Sequence, residues 1–169
     1  EQRPDVWSRY LDDVVALRAA AEASPHARSA LDAAEQGQTG IAPFDDFLTI
    51  DEALLDRVID INFKGPFYVT QECVPDMIAA KWGRIINITS SSVQSGSELQ
   101  THYTSSKGAL LGLTKCLAQA LGVHGITANM IPPGSIDTPM LRGAAIMQTP
   151  GAVVAYGAAL PVKRIGTGE

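Results

Sequence analysis

Two short apolar segments on either side of one long helical segment constrain the fold of this 169-residue chain more than any other feature. Residues 84–90 are β-branched and end in a serine cluster, and residues 125–131 are again apolar. Between them, leucines recur at helical spacing over Thr101–Leu121, and Gly122 is predicted to end that helix. This order predicts a βαβ unit with two parallel strands and a right-handed crossover. We expect the first strand to be buried on both faces.

Helical patterns also precede this unit. Residues 1–36 are predicted to form two helices, followed by a linker of turn composition at residues 37–43. A third helix is predicted from Asp51, with Thr49 as its N-cap. The chain is therefore expected to be mostly helical.

A fourth helix is predicted over residues 64–82, with a kink at Pro75 and an end at Gly83. The polar residues 90–100 are predicted to form a loop. Helices that alternate with short buried strands indicate an α/β fold, a doubly wound parallel sheet. Such a sheet needs about five or six strands. Only two are recognisable here, so we expect the sheet to be incomplete.

Charge and composition exclude several classes of function. The chain has 13 Lys and Arg against 18 Asp and Glu, a net charge of −5, without a basic cluster, so we expect no nucleic-acid partner.

It lacks an apolar run of about 18 residues and an export signal at its start, so we expect no membrane span and a cytoplasmic location. Cys73 and Cys116 are too few for a disulfide framework. His26 and His124 lack partners at metal-ligand spacing, so no metal site is expected.

Tyr103 and Lys107 stand one helical turn apart at the start of the long helix. Residues at positions i and i+4 share a helix face, so the ammonium can lie near the phenol. A cation there lowers the pKa of the tyrosine from its usual value of about 10, which suits a general acid or base near neutral pH. An exposed aromatic–lysine pair on the helix surface is the alternative.

Ser90 ends the first predicted strand, 103 − 90 = 13 residues before Tyr103. The carboxyl ends of parallel strands line the crevice where such sheets bind ligands, so this hydroxyl is placed to donate to a developing oxyanion. A role in a turn or cap is the alternative. His102 is expected to be an exposed histidine at the start of the helix, with a role in shaping a substrate pocket as the alternative.

Five ordered motifs resemble those of the short-chain dehydrogenase/reductase family. In chain order they are Asp60-Ile61-Asn62-Phe63-Lys64-Gly65, residues 83–90, Tyr103-x-x-x-Lys107, Asn129-Met130-Ile131-Pro132-Pro133-Gly134 and Thr138-Pro139-Met140. The resemblance covers residues 40–169 and implies a Rossmann-like fold. It divides the chain, within one domain, into a helical N-terminal segment, residues 1–36, and the catalytic part, residues 37–169. The implied reaction interconverts a small alcohol and its ketone with NAD or NADP.

The resemblance implies a catalytic role for four residues. Tyr103 would exchange a proton with the substrate oxygen, and Ser90 would donate a hydrogen bond to that oxygen. Lys107 would lower the tyrosine pKa and bind the ribose of the nicotinamide. Asn62 would hold, through its backbone at a helix irregularity, a water that passes protons to Lys107. The alternative for Asn62 is a cap of the following helix.

Cofactor contacts are implied for Tyr103 and Lys107 and for five further residues: Gly40, Pro133, Gly134, Ile136 and Thr138. Pro133 and Gly134 would bring backbone against the nicotinamide, and Ile136 and Thr138 would reach its carboxamide. Gly40 matches the one retained glycine of a family strand-end motif. The glycine-rich turn that holds the pyrophosphate in the family has no match in residues 1–40. The residue that separates NAD from NADP is missing too, so that choice stays open.

Small residues in the long helix permit close approach by another helix; they are Ser105, Ser106, Gly108, Ala109 and Gly112. The family resemblance implies a homodimer or homotetramer built on this helix and the helix at residues 64–82. Packing within the subunit is the alternative.

Three interpretations of the whole chain stay open. It is part of an intact dehydrogenase, a truncated and catalytically impaired relative that acts as an oligomerisation partner, or a small α/β binding module.

Overall fold

The computed structural model describes residues 40–144 and 147–167. The two helices predicted within residues 1–36, the first three linker residues and His26 lie outside these ranges. The elements, numbered in chain order, are α1 (Glu52–Ile59), a π-helical turn (Asp60–Lys64), α2 (Gly65–Ala79), β1 (Gly83–Ile88), α3 (Ser92–Ser95), α4 (Thr101–Leu121), β2 (Ile126–Ile131), α5 (Pro139–Gly143) and α6 (Ala152–Ala159). Short 3₁₀ turns cover Phe47–Thr49 and Gly122–His124.

The two strands lie side by side and parallel, with Gly83 opposite Ile126 and Ile88 opposite Ile131. α4 joins them and packs against β2. The predicted βαβ unit and the α/β class are therefore confirmed, and the long helix has the predicted bounds. Within the described residues the sheet has these two strands.

One face of this sheet is buried and the other is open. Ile85 and Ile126 point into a core formed with α2 and α4. On the opposite face Ile86, Ile88 and Ile131 are 58%, 51% and 50% exposed. The prediction that the first strand is buried on both faces was wrong, because the described helices pack against one face only.

Two helix boundaries differ from the prediction. α1 is capped by Asp51, whose carboxylate accepts a hydrogen bond from the Leu54 amide at 2.8 Å, and not by Thr49. α2 ends before Lys81, which adopts a left-handed conformation with φ 51°. Gly83 does not end α2; it is the first residue of β1. The helix also continues through Pro75.

The connection from α4 to β2 begins as predicted. α4 ends at Leu121 with Gly122 as its C-cap, and a 3₁₀ turn, Gly122–His124, follows. Gly125, with φ 75°, then turns the chain into β2. A Cβ at Gly125 would lie 2.5 Å from the carbonyl oxygen of Lys81, so glycine is required there for two reasons. The predicted loop at residues 90–100 contains the short helix α3.

Candidate active site

The π turn between α1 and α2 places Asn62 in the interior. The amide of Gly65 donates to the carbonyl of Asp60 five residues earlier, and Ile61 and Asn62 are both buried. This turn is a helix irregularity of the kind expected at Asn62. Because the helical path is continuous on both sides, the alternative that Asn62 caps the following helix was wrong.

The side chain of Asn62 connects two distant segments. Its Oδ1 accepts from the amide of Ile41 at 3.0 Å, and its Nδ2 donates to the Ile41 carbonyl at 2.8 Å. The same Nδ2 donates to Ser106 Oγ at 3.1 Å, and Ser106 donates to the carbonyl of Tyr103 at 2.6 Å. Asn62 therefore ties the segment around Ile41 to the first turn of α4.

Ser106 is fully buried within the subunit. Its sequence position predicts only a small residue at a helix contact, and the hydrogen bond from Asn62 was not predicted. Its position three residues after Tyr103 fits a hydroxyl that bonds back to the preceding helical turn. That spacing was the one local signal available in the sequence.

Lys107 and Tyr103 are brought together as their spacing predicts. Lys107 Nζ lies 5.9 Å from the centroid of the Tyr103 ring and donates to the Ile88 carbonyl at 3.0 Å. Lys107 is only 7% exposed, whereas Tyr103 is half-buried. Burial lowers the pKa of Lys107 below its usual 10.5. An exposed pair on the helix surface is therefore excluded.

Gly40 lies against the Asn62 side chain and the Lys107 ammonium. A Cβ at this position would be 3.0 Å from Asn62 Oδ1 and 3.7 Å from Lys107 Nζ. The contact with Asn62 is tighter than a Cβ normally makes, so a side chain at position 40 would crowd the Asn62 amide, whereas the distance to the ammonium is an ordinary contact. Gly40, Asn62, Tyr103 and Lys107 form one cluster at the carboxyl end of β1.

Ser90 follows β1 and is half-buried. Its Oγ accepts from the amide of Ser92 at 3.2 Å and from Ser92 Oγ at 2.9 Å. Ser92 Oγ in turn accepts from Thr104 Oγ1 at 3.2 Å. Since Thr104 follows Tyr103 in α4, these hydroxyls connect Ser90 to the helix that carries the tyrosine. Neither Ser92 nor Thr104 was predicted to belong to the site; the serine run after β1 is the signal for Ser92 in the sequence.

The segments after the two strands are joined to each other. The amide of Thr89 donates to the Ile131 carbonyl at 2.9 Å, and the amide of Ser91 donates to the Pro133 carbonyl at 3.0 Å. Pro133 and Gly134 therefore lie at the same edge of the sheet as Ser90. A ligand crevice at a parallel sheet has this position.

Ile136 and Thr138 are held by different contacts further along the chain. Ile136 forms a parallel bridge with Gly166, where an added Cβ would lie 2.6 Å from Ile136 Cδ1. Thr138 is the N-cap of α5, and its hydroxyl accepts from the amide of Leu141 at 3.3 Å. This segment is anchored through the chain near Gly166.

His102 is buried, so the expectation of an exposed histidine was wrong. It is 3% exposed, and its Nε2 lies 3.5 Å from Asp45 Oδ2. The physical reason is that residues 42–45 cover the start of α4. The Asp45 amide donates to the Leu99 carbonyl at 2.8 Å, and Gln100 Nε2 donates to the Ala42 carbonyl at 3.3 Å.

Over residues 40–144 and 147–167, His, Cys, Asp and Glu side chains form no group of three or more that would hold a metal ion. None of the helices in this part of the chain combines the length and the apolar character needed to cross a membrane.

The βαβ unit, with Tyr103 and Lys107 at the carboxyl edge of its strands, defines an α/β protein with its candidate site at that edge. A family model described as short chain dehydrogenase matches residues 18–148. The chain belongs to the short chain dehydrogenase family.

Three similar proteins are informative. The chain is 42% identical over 100 residues to an L-rhamnose 1-dehydrogenase (NADP(+)) of Thermoplasma acidophilum, covering 59% of this chain and 39% of that protein. It is 39% identical over 123 residues to an acetoacetyl-CoA reductase of Cupriavidus necator, covering 73% and 48%. A solved gluconate 5-dehydrogenase from Burkholderia cenocepacia, in complex with NADP and tartrate, matches with TM-score 0.70 and 27% identity, covering 76% and 49%. The chain thus spans half or less of these relatives, and the last confirms the Rossmann-like fold.

Proposed function

We propose that this protein is an NAD- or NADP-dependent oxidoreductase that interconverts an alcohol and a ketone. The observation that carries the proposal is the buried ammonium of Lys107 beside the ring of Tyr103, with the backbone of Gly40 against it. Relatives named as an NADP(+)-dependent dehydrogenase and as a reductase support the same class of reaction. The alternative of an impaired oligomerisation partner has no specific observation in its favour.

In the reducing direction, Tyr103 donates its phenolic proton to the carbonyl oxygen of the substrate, and Ser90 hydrogen-bonds that oxygen. The ammonium of Lys107 stabilises the phenolate that remains. The backbone of Asn62 in the π turn holds a water that returns a proton towards Lys107. The nicotinamide cofactor, when bound, supplies or accepts the hydride.

The residues present fit the nicotinamide end of such a cofactor. An ammonium has three N–H donors, and the contact with Ile88 uses one of them, so Lys107 can also donate to ribose hydroxyls. Gly40 leaves room beside that ammonium. Pro133 and Gly134 supply backbone at the same sheet edge, while Ile136 and Thr138 are assigned to the carboxamide.

Titration with NADH and NADPH, followed by turnover with a panel of small ketones, tests the proposal. We expect Tyr103→Phe to abolish turnover and to leave the Kd for the cofactor nearly unchanged, because only the phenolic oxygen is removed. Tyr68→Phe, which removes a phenolic hydroxyl from α2, is the matched control and retains activity. No binding of either cofactor at millimolar concentration refutes the proposal, and a parallel loss of binding and turnover in Tyr103→Phe refutes the role of that residue.

We also propose that the protein forms a homodimer or homotetramer in the cytoplasm. An apolar groove between α2 and α4, lined by Phe67, Val74, Leu113 and Leu117, supports a helix-mediated contact. A content of two cysteines suits a reducing compartment. Light scattering of wild type and of Leu113→Asp tests the assembly; a wild-type monomer at micromolar concentration refutes it.

A further inference from the structure

The hydroxyl of Ser90 has both of its acceptor positions filled by one neighbouring residue. Ser92 donates to it through its amide, at 3.2 Å, and through its own hydroxyl, at 2.9 Å. A serine hydroxyl has one proton and two lone pairs. With two hydrogen bonds accepted from Ser92, the remaining capacity of Ser90 is that of a donor, and its proton points away from Ser92.

The direction of the hydrogen bond from Ser92 to Ser90 is set from α4. Thr104 Oγ1 donates to Ser92 Oγ at 3.2 Å. Because Ser92 accepts this proton, its own proton is directed to Ser90. The donors therefore run in one direction, from Thr104 through Ser92 to Ser90, and each hydroxyl in such a series polarises the next.

We propose that Ser92 is a positioning residue that makes the Ser90 hydroxyl a dedicated donor to the substrate oxygen. The inference rests on the proposed function, and it adds Ser92 and Thr104 to the residues on which the reaction depends. Negative charge develops on the substrate oxygen as hydride arrives. A donor that is already oriented stabilises this charge without having to turn first.

Without the Ser92 hydroxyl, only the Ser92 amide still donates to Ser90 Oγ, and the Ser90 hydroxyl can rotate and use its proton elsewhere. We expect Ser92→Ala to reduce kcat for ketone reduction about three- to tenfold, the effect of one neutral hydrogen bond. The KM for the reduced nicotinamide cofactor stays unchanged, because Ser92 acts only through Ser90 on the substrate oxygen. Ser92→Thr keeps the hydroxyl and restores most of the rate.

Ser95→Ala is the matched control. Ser95 belongs to the same short helix, but it is exposed and its hydroxyl contacts backbone carbonyls of Ser91 and Gly96. We expect its kcat to equal that of wild type. An equal loss in Ser92→Ala and Ser95→Ala attributes the effect to the stability of α3 and overturns the proposal.

Double variants separate positioning from a structural role. Because Ser92 acts through Ser90, Ser92→Ala causes no further loss in a Ser90→Ala background. If Ser90→Ala leaves no measurable rate, Thr104→Val decides: it lowers kcat in the wild type and changes nothing in the Ser92→Ala background. Additive losses overturn the proposal. If the wild type turns over and Ser92→Ala has the same kcat, the inference alone is overturned. If the wild type shows no turnover, the proposed function and the inference are overturned together.

Discussion

Asn62 is the residue whose replacement tests the arrangement of the site most directly. It is 1% exposed and makes three hydrogen bonds, two with the backbone of Ile41 and one with Ser106. In Asn62→Ala, the amide and carbonyl of Ile41 lose their partner, while Ser106 keeps its bond to Tyr103. A buried polar group left without a partner costs about 1–3 kcal/mol. Ile41 is half-buried, so at the low end of that range for each of its two groups we expect a loss of about 2–3 kcal/mol in the free energy of unfolding.

Asn62→Asp is the sharper variant, since it has the same shape. One carboxylate oxygen still accepts from the Ile41 amide, but the other faces the Ile41 carbonyl, to which Asn62 donates at 2.8 Å. Burial beside a carbonyl raises the pKa of this carboxyl above its unfolded value of about 3.9. Folding then favours the protonated form, so stability is retained at low pH and lost as pH rises. The loss of stability in this variant, measured against wild type at the same pH, is therefore smaller at about pH 4 than at about pH 7.

Urea unfolding followed by circular dichroism measures both effects, with an unchanged m value as the sign that the same surface is exposed. Asn129→Ala, at an exposed position on β2, is the control and changes stability by less than about 0.5 kcal/mol. A loss below about 1 kcal/mol in Asn62→Ala, or equal stability of Asn62→Asp at the two pH values, refutes the hydrogen-bonding pattern described for Asn62.

Two further predictions concern the turn before β2 and the buried lysine. Gly125→Ala combines φ 75° with a Cβ 2.5 Å from the Lys81 carbonyl, so we expect urea unfolding to show a loss of at least about 2 kcal/mol in the free energy of unfolding. The control is Gly122→Ala, whose added Cβ meets open space and causes no loss. Equal stabilities of the two variants contradict this prediction. Burial lowers the pKa of Lys107 below 10.5, so between that lowered value and 10.5 the unfolded chain binds more protons and wild-type stability rises with pH. Lys107→Met removes this rise, and identical pH slopes for the two proteins between about pH 8 and 10.5 would argue against the burial effect.

Local patterns predicted the parts of the structure that depend on residues near one another in the chain. The bounds of α4 follow from the spacing of its leucines and from the change of composition at each end. The approach of Lys107 to Tyr103 follows from the geometry of one helical turn. Both features need no information about the rest of the fold.

Features set by distant contacts were missed. Asn62 meets Ser106 across 44 residues of chain, and Ile41 across 21, so neither partner is visible in a local window. His102 is buried because residues 42–45 cover it, which its own neighbours in α4 do not indicate. The exposed face of β1 is also a property of packing, since an isoleucine-rich strand reads the same whether one face or both are covered.

The π turn, Asp60–Lys64, has a consequence for changes in chain length. It contains one residue more than the same stretch of regular α-helix requires. Deleting one residue within it restores ordinary helical bonding while α1 and α2 keep the faces they now present. Asn62, however, loses the alignment that brings its amide to Ile41 and Ser106. A deletion in the π turn is therefore expected to give a chain that still folds but does not assemble its site, an outcome that a substitution there does not give.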